Sequence, residues 1–286
     1  MYCFVCEFIT GGGMQHTPLP PRLAREGDMM LSSLLDDLLA AGMQHLLITR
    51  DPRLPVRNEQ VKTLPAEDDV WDLWRRCMEE SAMVWIIAPE TDGVLYELTR
   101  MAHASGCQVI GCTPDTIQLA ASKSNTIHYL ESRHIPCISV IDNAEAVSTS
   151  PDGWVVKPDD GVGGEGCRHF TAHKEMMAYL KSQRKKMAVQ EFVPSIAASM
   201  SLLCLEGQAQ LLASNRQLFH FNAGRGHLQG VVVNGLMQHA AEFDELAKKI
   251  AACMPGLQGY VGIDMVIGKS GPQVVEINPR LTTAYT

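Results

Sequence analysis

Apolar residues follow two different rhythms along this chain. In the first hundred or so residues, short unbroken apolar runs (YCFVCEFIT, HLLITRD, MVWIIAPE and QVIGC) alternate with longer segments. Those longer segments, REGDMMLSSLLDDLLAAG, DDVWDLWRRCMEES and GVLYELTRMAHASG, carry apolar residues three and four apart. The short runs read as buried strands and the longer segments as amphipathic helices. A strand–helix–strand rhythm of this kind predicts an α/β fold with a parallel sheet over residues 1–110.

Beyond residue 110 the texture changes. A helix opens after Pro114 with Asp115 in its cap region, and a second runs from Lys123 to Arg133. WVVKPDDGVGGEGCRHF reads as a hairpin around a glycine-rich tip. The helix KEMMAYLKSQ follows, then the strands MAVQEFVP, ASMSLLCLEG and AQLLASNRQLF. The helix EFDELAKKIAACM precedes a final hairpin, GYVGIDMVIGKSGPQVVEINPR, which turns at Lys269, Ser270 and Gly271. Antiparallel strands with intervening helices predict an α+β part.

Bulk properties narrow the function classes. A chain of 286 residues and 31.4 kDa is long enough for two or three structural units. Its net charge of −8 leaves no basic surplus for nucleic acid as the main partner, although a local Lys/Arg cluster can still hold a small anion. Nine scattered cysteines suit reduced thiols in a cytoplasm better than a disulfide framework. The N-terminal MYCFVCEFITGGG lacks a basic leader, and no apolar run reaches membrane-spanning length. The expectation is a soluble cytoplasmic protein with no membrane partner.

Three stretches carry candidate chemistry. In KPDDGVGGEG, Gly161, Gly163, Gly164 and Gly166 leave the backbone free to approach a phosphate, and Lys157 stands four residues before the first of them. The lysine precedes the glycines, so this is not a Walker loop, and a plain hairpin tip is the competing reading. Gln190, Glu191, Phe192 and Val193 form a short segment that can read the edge of a planar base with its backbone. In the last strand Glu276, Asn278 and Arg280 fall on alternate positions, with Val275, Ile277 and Pro279 on the other face. The hairpin brings Asp264 to that polar face, where paired acids repel unless a cation lies between them. A solvated outer face is the bland alternative. Gly11, Gly12 and Gly13 follow the first strand without a GxGxxG pattern, so a tight turn is their simpler role. Ser199, Ser201 and Arg225 are candidates for contact with a substrate carboxylate, or ordinary loop residues.

The sum of these motifs, VVKPxxGxGGxG, QEFV and an Asp followed by EINPR, resembles the ATP-grasp superfamily from about Gly111 onward. The opening sheet, residues 1–110, resembles the Rossmann-like pre-ATP-grasp domain that precedes the grasp, and the resemblance implies a small grasp subdomain over 111–186 and a larger one over 187–286. EFITGGG, APETDGVLYELT and EINPRLTTAY look closest to the tyramine–glutamate ligases of methanofuran biosynthesis. The resemblance implies that Lys123 and Lys157 bind the nucleotide phosphates while Gly161, Gly163, Gly164 and Gly166 close over them. It implies that Gln190, Glu191, Phe192 and Val193 line the adenine and that Asp264, Glu276 and Asn278 hold Mg²⁺, with Mn²⁺ as a substitute. Arg280 would steady the transferred phosphoryl group. The implied activity is an ATP-dependent carboxylate–amine ligase working through an acyl phosphate, with glutamate and an amine as small-molecule substrates. Another ATP-grasp amino-acid or peptide ligase, and a nucleotide-binding regulatory module without turnover, are the alternatives. The oligomeric state stays open, with a homodimer as the candidate.

Overall fold

The opening third forms a parallel sheet from five strands: β1 (Tyr2–Glu7), β2 (Leu46–Arg50), β3 (Lys62–Pro65), β4 (Ser81–Ile87) and β5 (Gln108–Val109). Their order is β3-β2-β1-β4-β5, with parallel pairing throughout. The computed structural model that shows this describes residues 1–56, 60–147, 149–161 and 166–286. Three helices accompany the strands: α1 (Pro21–Ala40), α2 (Val70–Glu79) and α3 (Val94–Ala104). Proline at the first position of α1 suits a helix start, because its missing N–H would have no partner there. The helix then buries Ala24, Leu31, Leu34 and Leu35, as its apolar spacing requires.

Two details depart from expectation. Strand β3, a four-residue edge strand with little apolar character, has no signal in the apolar pattern. The first strand also ends early, at Glu7, and Ile9–Gly13 coils into a single helical turn. The buried Glu7 carboxylate holds that turn by accepting hydrogen bonds from Ile9 N (3.1 Å) and from Thr10 N and Oγ1 (2.5 Å each). Gly12 adopts φ 113°, and a Cβ there would lie 2.4 Å from the Ala66 side chain, so glycine is needed.

Eight strands make the second sheet: β6 (Trp154–Pro158), β7 (Arg168–Phe170), β8 (Met187–Glu191), β9 (Ile196–Leu205), β10 (Gln208–Asn222), β11 (Arg225–Val232), β12 (Gly259–Gly268) and β13 (Gly271–Asn278). They run in the order β13-β12-β9-β10-β11-β7-β6-β8 with antiparallel pairing. The sequence reading did not include β11. Its turn is made by Ala223 and Gly224, both at positive φ (47° and 71°), the conformation of a tight hairpin that alanine rarely signals. The segment around Cys137 then bridges the sheet's two ends. Ile138 N donates to Val274 O of β13 (3.0 Å), and Ile141 N donates to Val189 O of β8 (2.8 Å). Together with the β11–β7 pairing, made at Arg225 and Arg168, this gives a closed belt of strands.

Helices α4 (Pro114–Ala120), α5 (Lys123–Ser132), α6 (His173–Ser182) and α7 (Ala240–Cys253) complete the chain. Met176 of α6 packs with Trp154, Val156 and Val189 in one core cluster, each nearly or fully buried. Full burial of such side chains contributes about 1.5–3 kcal/mol each. Met1–Pro89, Gly93–Pro114 and Arg280–Thr286 form one compact unit, and Glu90–Asp92 with Asp115–Pro279 form the other. No helix among the described residues is long and apolar enough to cross a membrane.

Candidate active site

The last hairpin places Asp264 of β12 directly opposite Glu276 of β13, and Gly262 opposite Asn278. The next pair is Met265 with Val274, so Val275 is an extra, unpaired residue, a β-bulge. The bulge corrects the simple alternation read from the sequence. Val274 and Ile277 are buried, whereas Val275 joins Glu276 in lining a cleft. Asn278 Nδ2 donates to Asp264 Oδ2 at 3.3 Å, and Gln217 Nε2 of β10 donates to Oδ1 at 2.7 Å. Desolvation, followed by the neighbouring Glu276 carboxylate, pushes the Asp264 carboxyl up to about 6.

Two lysines enter the same space. Lys157, near the end of β6, is 7% exposed and donates to Val275 O at 3.4 Å. Burial drives its ammonium below the ordinary lysine value, against the attraction of Glu276. Lys123 opens α5, donates to Gly161 O and forms an ion pair with Glu276 at 3.0 Å. Its position is set by Asp159, whose carboxylate accepts from Ser122 Oγ (2.6 Å), Ser124 N (2.8 Å) and Ser124 Oγ (2.6 Å). Burial pushes the Asp159 carboxyl up, but these bonds and Lys186 outweigh it and leave it below the usual range. Sequence reasoning missed Asp159, because a helix cap that lies 35 residues away leaves no local signature.

The cleft has a volume of about 350 Å³. Lys123, Lys157, Gly161, Asp264 and Glu276 line it together with Gln190, Glu191, Phe192 and Val193. Nine residues singled out from separate stretches of sequence therefore meet in one place. The buried Gln190 amide is committed to Ile138 O, so it steadies the wall with its side chain. Gln217, Phe219 and Phe221 of β10 also line the cleft and were not anticipated. The Phe219 ring occupies the space beside Gly226, where a Cβ would come within 2.6 Å of it.

Other expected residues stand differently. Gly163 and Gly164 lie outside the described residues, and Gly166, at φ 73°, packs against Pro158. Arg280 follows β13 and belongs to the first compact unit, where its Nη1 donates to Leu281 O at 3.0 Å. Ser201 is buried and accepts from Asn215 Nδ2 and Tyr260 Oη, a structural arrangement.

Asp264, Glu276 and Asn278 could offer a metal two carboxylates and one amide oxygen. Among the described residues no three His, Cys, Asp or Glu side chains are grouped so that they could hold a metal ion together. These hard oxygens, facing each other across a hairpin, suit Mg²⁺ or another hard divalent cation better than zinc. The upward push of Glu276 on Asp264 is the repulsion that such a cation would relieve. The residues present fit the group.

Comparison with known proteins gives concordant likenesses. A family model described as an ATP-grasp domain matches residues 120–284, and a pre ATP-grasp 3 domain matches 44–117. The chain is 25% identical over 268 residues to a tyramine–L-glutamate ligase of Methanocaldococcus jannaschii, spanning 91% of this chain and 77% of the relative. An ATP-grasp superfamily protein from Archaeoglobus fulgidus superposes with a TM-score of 0.76 at 24% identity, covering 99% of this chain and 82% of that one. The biotin carboxylase domain of a Hydrogenobacter thermophilus 2-oxoglutarate carboxylase, solved with MgADP, gives 0.71 at 12% identity, covering 99% and 65%.

Proposed function

The chain belongs to the ATP-grasp family of ATP-dependent ligases, and on that premise we propose that it joins glutamate to an amine through an acyl phosphate. The observation that carries this reading is Lys157. A buried ammonium whose hydrogen bond is to a carbonyl oxygen at 3.4 Å is set to receive an anion, and it shares its cleft with two acids and a short backbone segment able to read a base.

In this reading the glutamate carboxylate attacks the γ-phosphorus of ATP, ADP departs, and glutamyl phosphate forms. The amine then attacks the acyl carbon, phosphate leaves, and the amine gives up a proton to complete the amide. Lys123 and Lys157 hold phosphate oxygens against the repulsion of the approaching carboxylate. Gln190, Glu191, Phe192 and Val193 line the base, and Gly161 lets the backbone come close to the phosphates. Asp264, Glu276 and Asn278 hold Mg²⁺, which screens phosphate charge when bound, and Mn²⁺ is a substitute of similar hardness. The role of Arg280 toward the transferred phosphoryl group stands on the family resemblance alone. The M. jannaschii relative acts on tyramine and glutamate, so an aromatic amine in methanofuran-type cofactor biosynthesis is the favoured acceptor. The nine cysteines, mostly buried and joined by no disulfide among the described residues, suit a reducing cytoplasm.

The test is ADP and phosphate release with Mg-ATP, L-glutamate and a panel of amines that includes tyramine, read together with product masses. Turnover that needs both glutamate and one amine, with a new amide mass, supports the reading. ATP hydrolysis or amide formation with a different carboxylate replaces glutamate. Nucleotide binding with no turnover, and no hydroxamate on adding hydroxylamine, favours a regulatory module.

A further inference from the structure

The two facing acids are treated unequally by the fold. Glu276 is matched by a cation, the Lys123 ammonium at 3.0 Å. Asp264 receives hydrogen bonds from two neutral amides, Gln217 at 2.7 Å and Asn278 at 3.3 Å. An amide N–H fixes a carboxylate in direction and leaves its charge available. An ammonium in the same place would cancel that charge.

The backbone explains how Gln217 reaches Asp264. Asp264 pairs with Ser199 of β9, and Ser199 pairs with Asn215 of β10. Gln217 stands two residues beyond Asn215, on the same face, in a diagonal relation to the acid. That span is long for a short side chain, and the glutamine amide closes it. The β10–β9 register ends at Arg216 with Ala198, so Gln217 is the first residue past the pairing. We propose that Gln217 is a positioning residue that holds the Asp264 carboxylate in its cation-binding orientation without neutralising it. The inference rests on the metal reading given above and adds a residue to it.

Mn²⁺ binding followed by electron paramagnetic resonance, in the presence of saturating ADP, tests this without catalysis. The parent should bind Mn²⁺ saturably, and Asp264→Asn should abolish it. Gln217→Leu keeps the bulk and removes the donor; it should weaken Mn²⁺ binding about 10- to 100-fold while ADP affinity without metal changes less than about twofold. Gln217→Lys should eliminate Mn²⁺ binding with a melting temperature at or above the parent, because its ammonium takes the cation's place beside Asp264. That variant decides the matter if the leucine protein fails to fold. Mn²⁺ affinity in Gln217→Leu and Gln217→Lys equal to the parent's would overturn the inference and leave the metal reading standing. A parent that binds no Mn²⁺ would overturn both.

Discussion

The two compact units differ in how fully their buried charges are answered, for the second holds answered ones, Asp159 and the Lys123–Glu276 pair, beside others that are not. In the first, the buried charges among the described residues find their answers within the chain. The Arg50 guanidinium pairs with Asp28 at 2.5 Å, both side chains being less than a tenth exposed, and Arg53 pairs with Asp51 at 2.6 Å. Glu7 has no cation, yet three donors from Ile9 and Thr10 converge on it. In the second unit Lys157 is buried against a carbonyl oxygen, and Asp264 is held by two amides beside a second acid. A charge answered by its own chain holds structure together. One left partly unanswered raises the free energy of the empty fold and lowers that of the complex with an ion of opposite sign.

That contrast can be broken at four positions. Arg50→Met removes the guanidinium that Asp28 pairs with and should cost about 3–5 kcal/mol, a fall in melting temperature on the order of 10 °C. A fall of only a degree or two would mean that the pair is not structural. Lys157→Met should show the reverse pattern, with turnover down about 100- to 1,000-fold and a melting temperature no lower than the parent's. A strongly destabilised Lys157→Met protein would place that lysine in the structural class and remove the contrast.

Asp264→Asn should stabilise the empty protein by up to about 3 kcal/mol near neutral pH while abolishing turnover. The side chain is partly open to the cleft, so this is an upper bound. The sign follows from its raised value of about 6. A carboxyl raised in the fold favours the folded state in acid, and that contribution is lost as pH rises through its folded value. The advantage of Asp264→Asn, measured as a difference in melting temperature, should therefore be small near pH 4 and complete above about pH 7. A difference that does not change with pH would show that the acid's charge is already balanced. Glu7→Gln should give the smallest effect. Burial raises the Glu7 carboxyl too, so the parent's stability relative to this variant should decline as pH increases, offset in part by the three donors. Calorimetry of both proteins across the same pH range checks it, and a parent that gains on the variant with rising pH would reverse the argument.

Much of this arrangement could be read from the chain itself because its signals are local. Apolar runs and helical spacing locate the parallel sheet, and the Lys269–Gly271 turn is enough to bring Asp264 close to Glu276 and Asn278; the structure makes Glu276 its direct partner. What escaped notice depends on contacts remote in sequence. Gln217 meets Asp264 only after three strands are set in register, and Asp159 caps a helix that precedes it in the chain. The bulge at Val275 has no glycine or proline to announce it. Strand β3 is too short and too polar to stand out, and the β10–β11 turn places an alanine where glycine or asparagine is the usual sign. Periodicity reports which face of an element is buried; it is silent on which neighbour covers that face.

The closed belt of strands has a mechanical consequence. The segment around Cys137 runs beside both end strands, β13 and β8, and partly covers the edges that another chain's strand would use as a template. The belt is unevenly stitched. β9 pairs with β10 and β12 over long registers, while β7 meets β11 at a single residue pair, flanked by His169 N to Gly224 O and Gly226 N to Cys167 O, each 2.9 Å. The opposite seam rests on Cys137 with Val274 and Val140 with Gln190. Breathing should therefore concentrate at these two seams, and the amides of His169, Gly226, Ile138 and Ile141 should exchange with solvent well ahead of those in β9 and β12. Lys157 on β6 and Asp264 on β12 stand on opposite sides of these two seams.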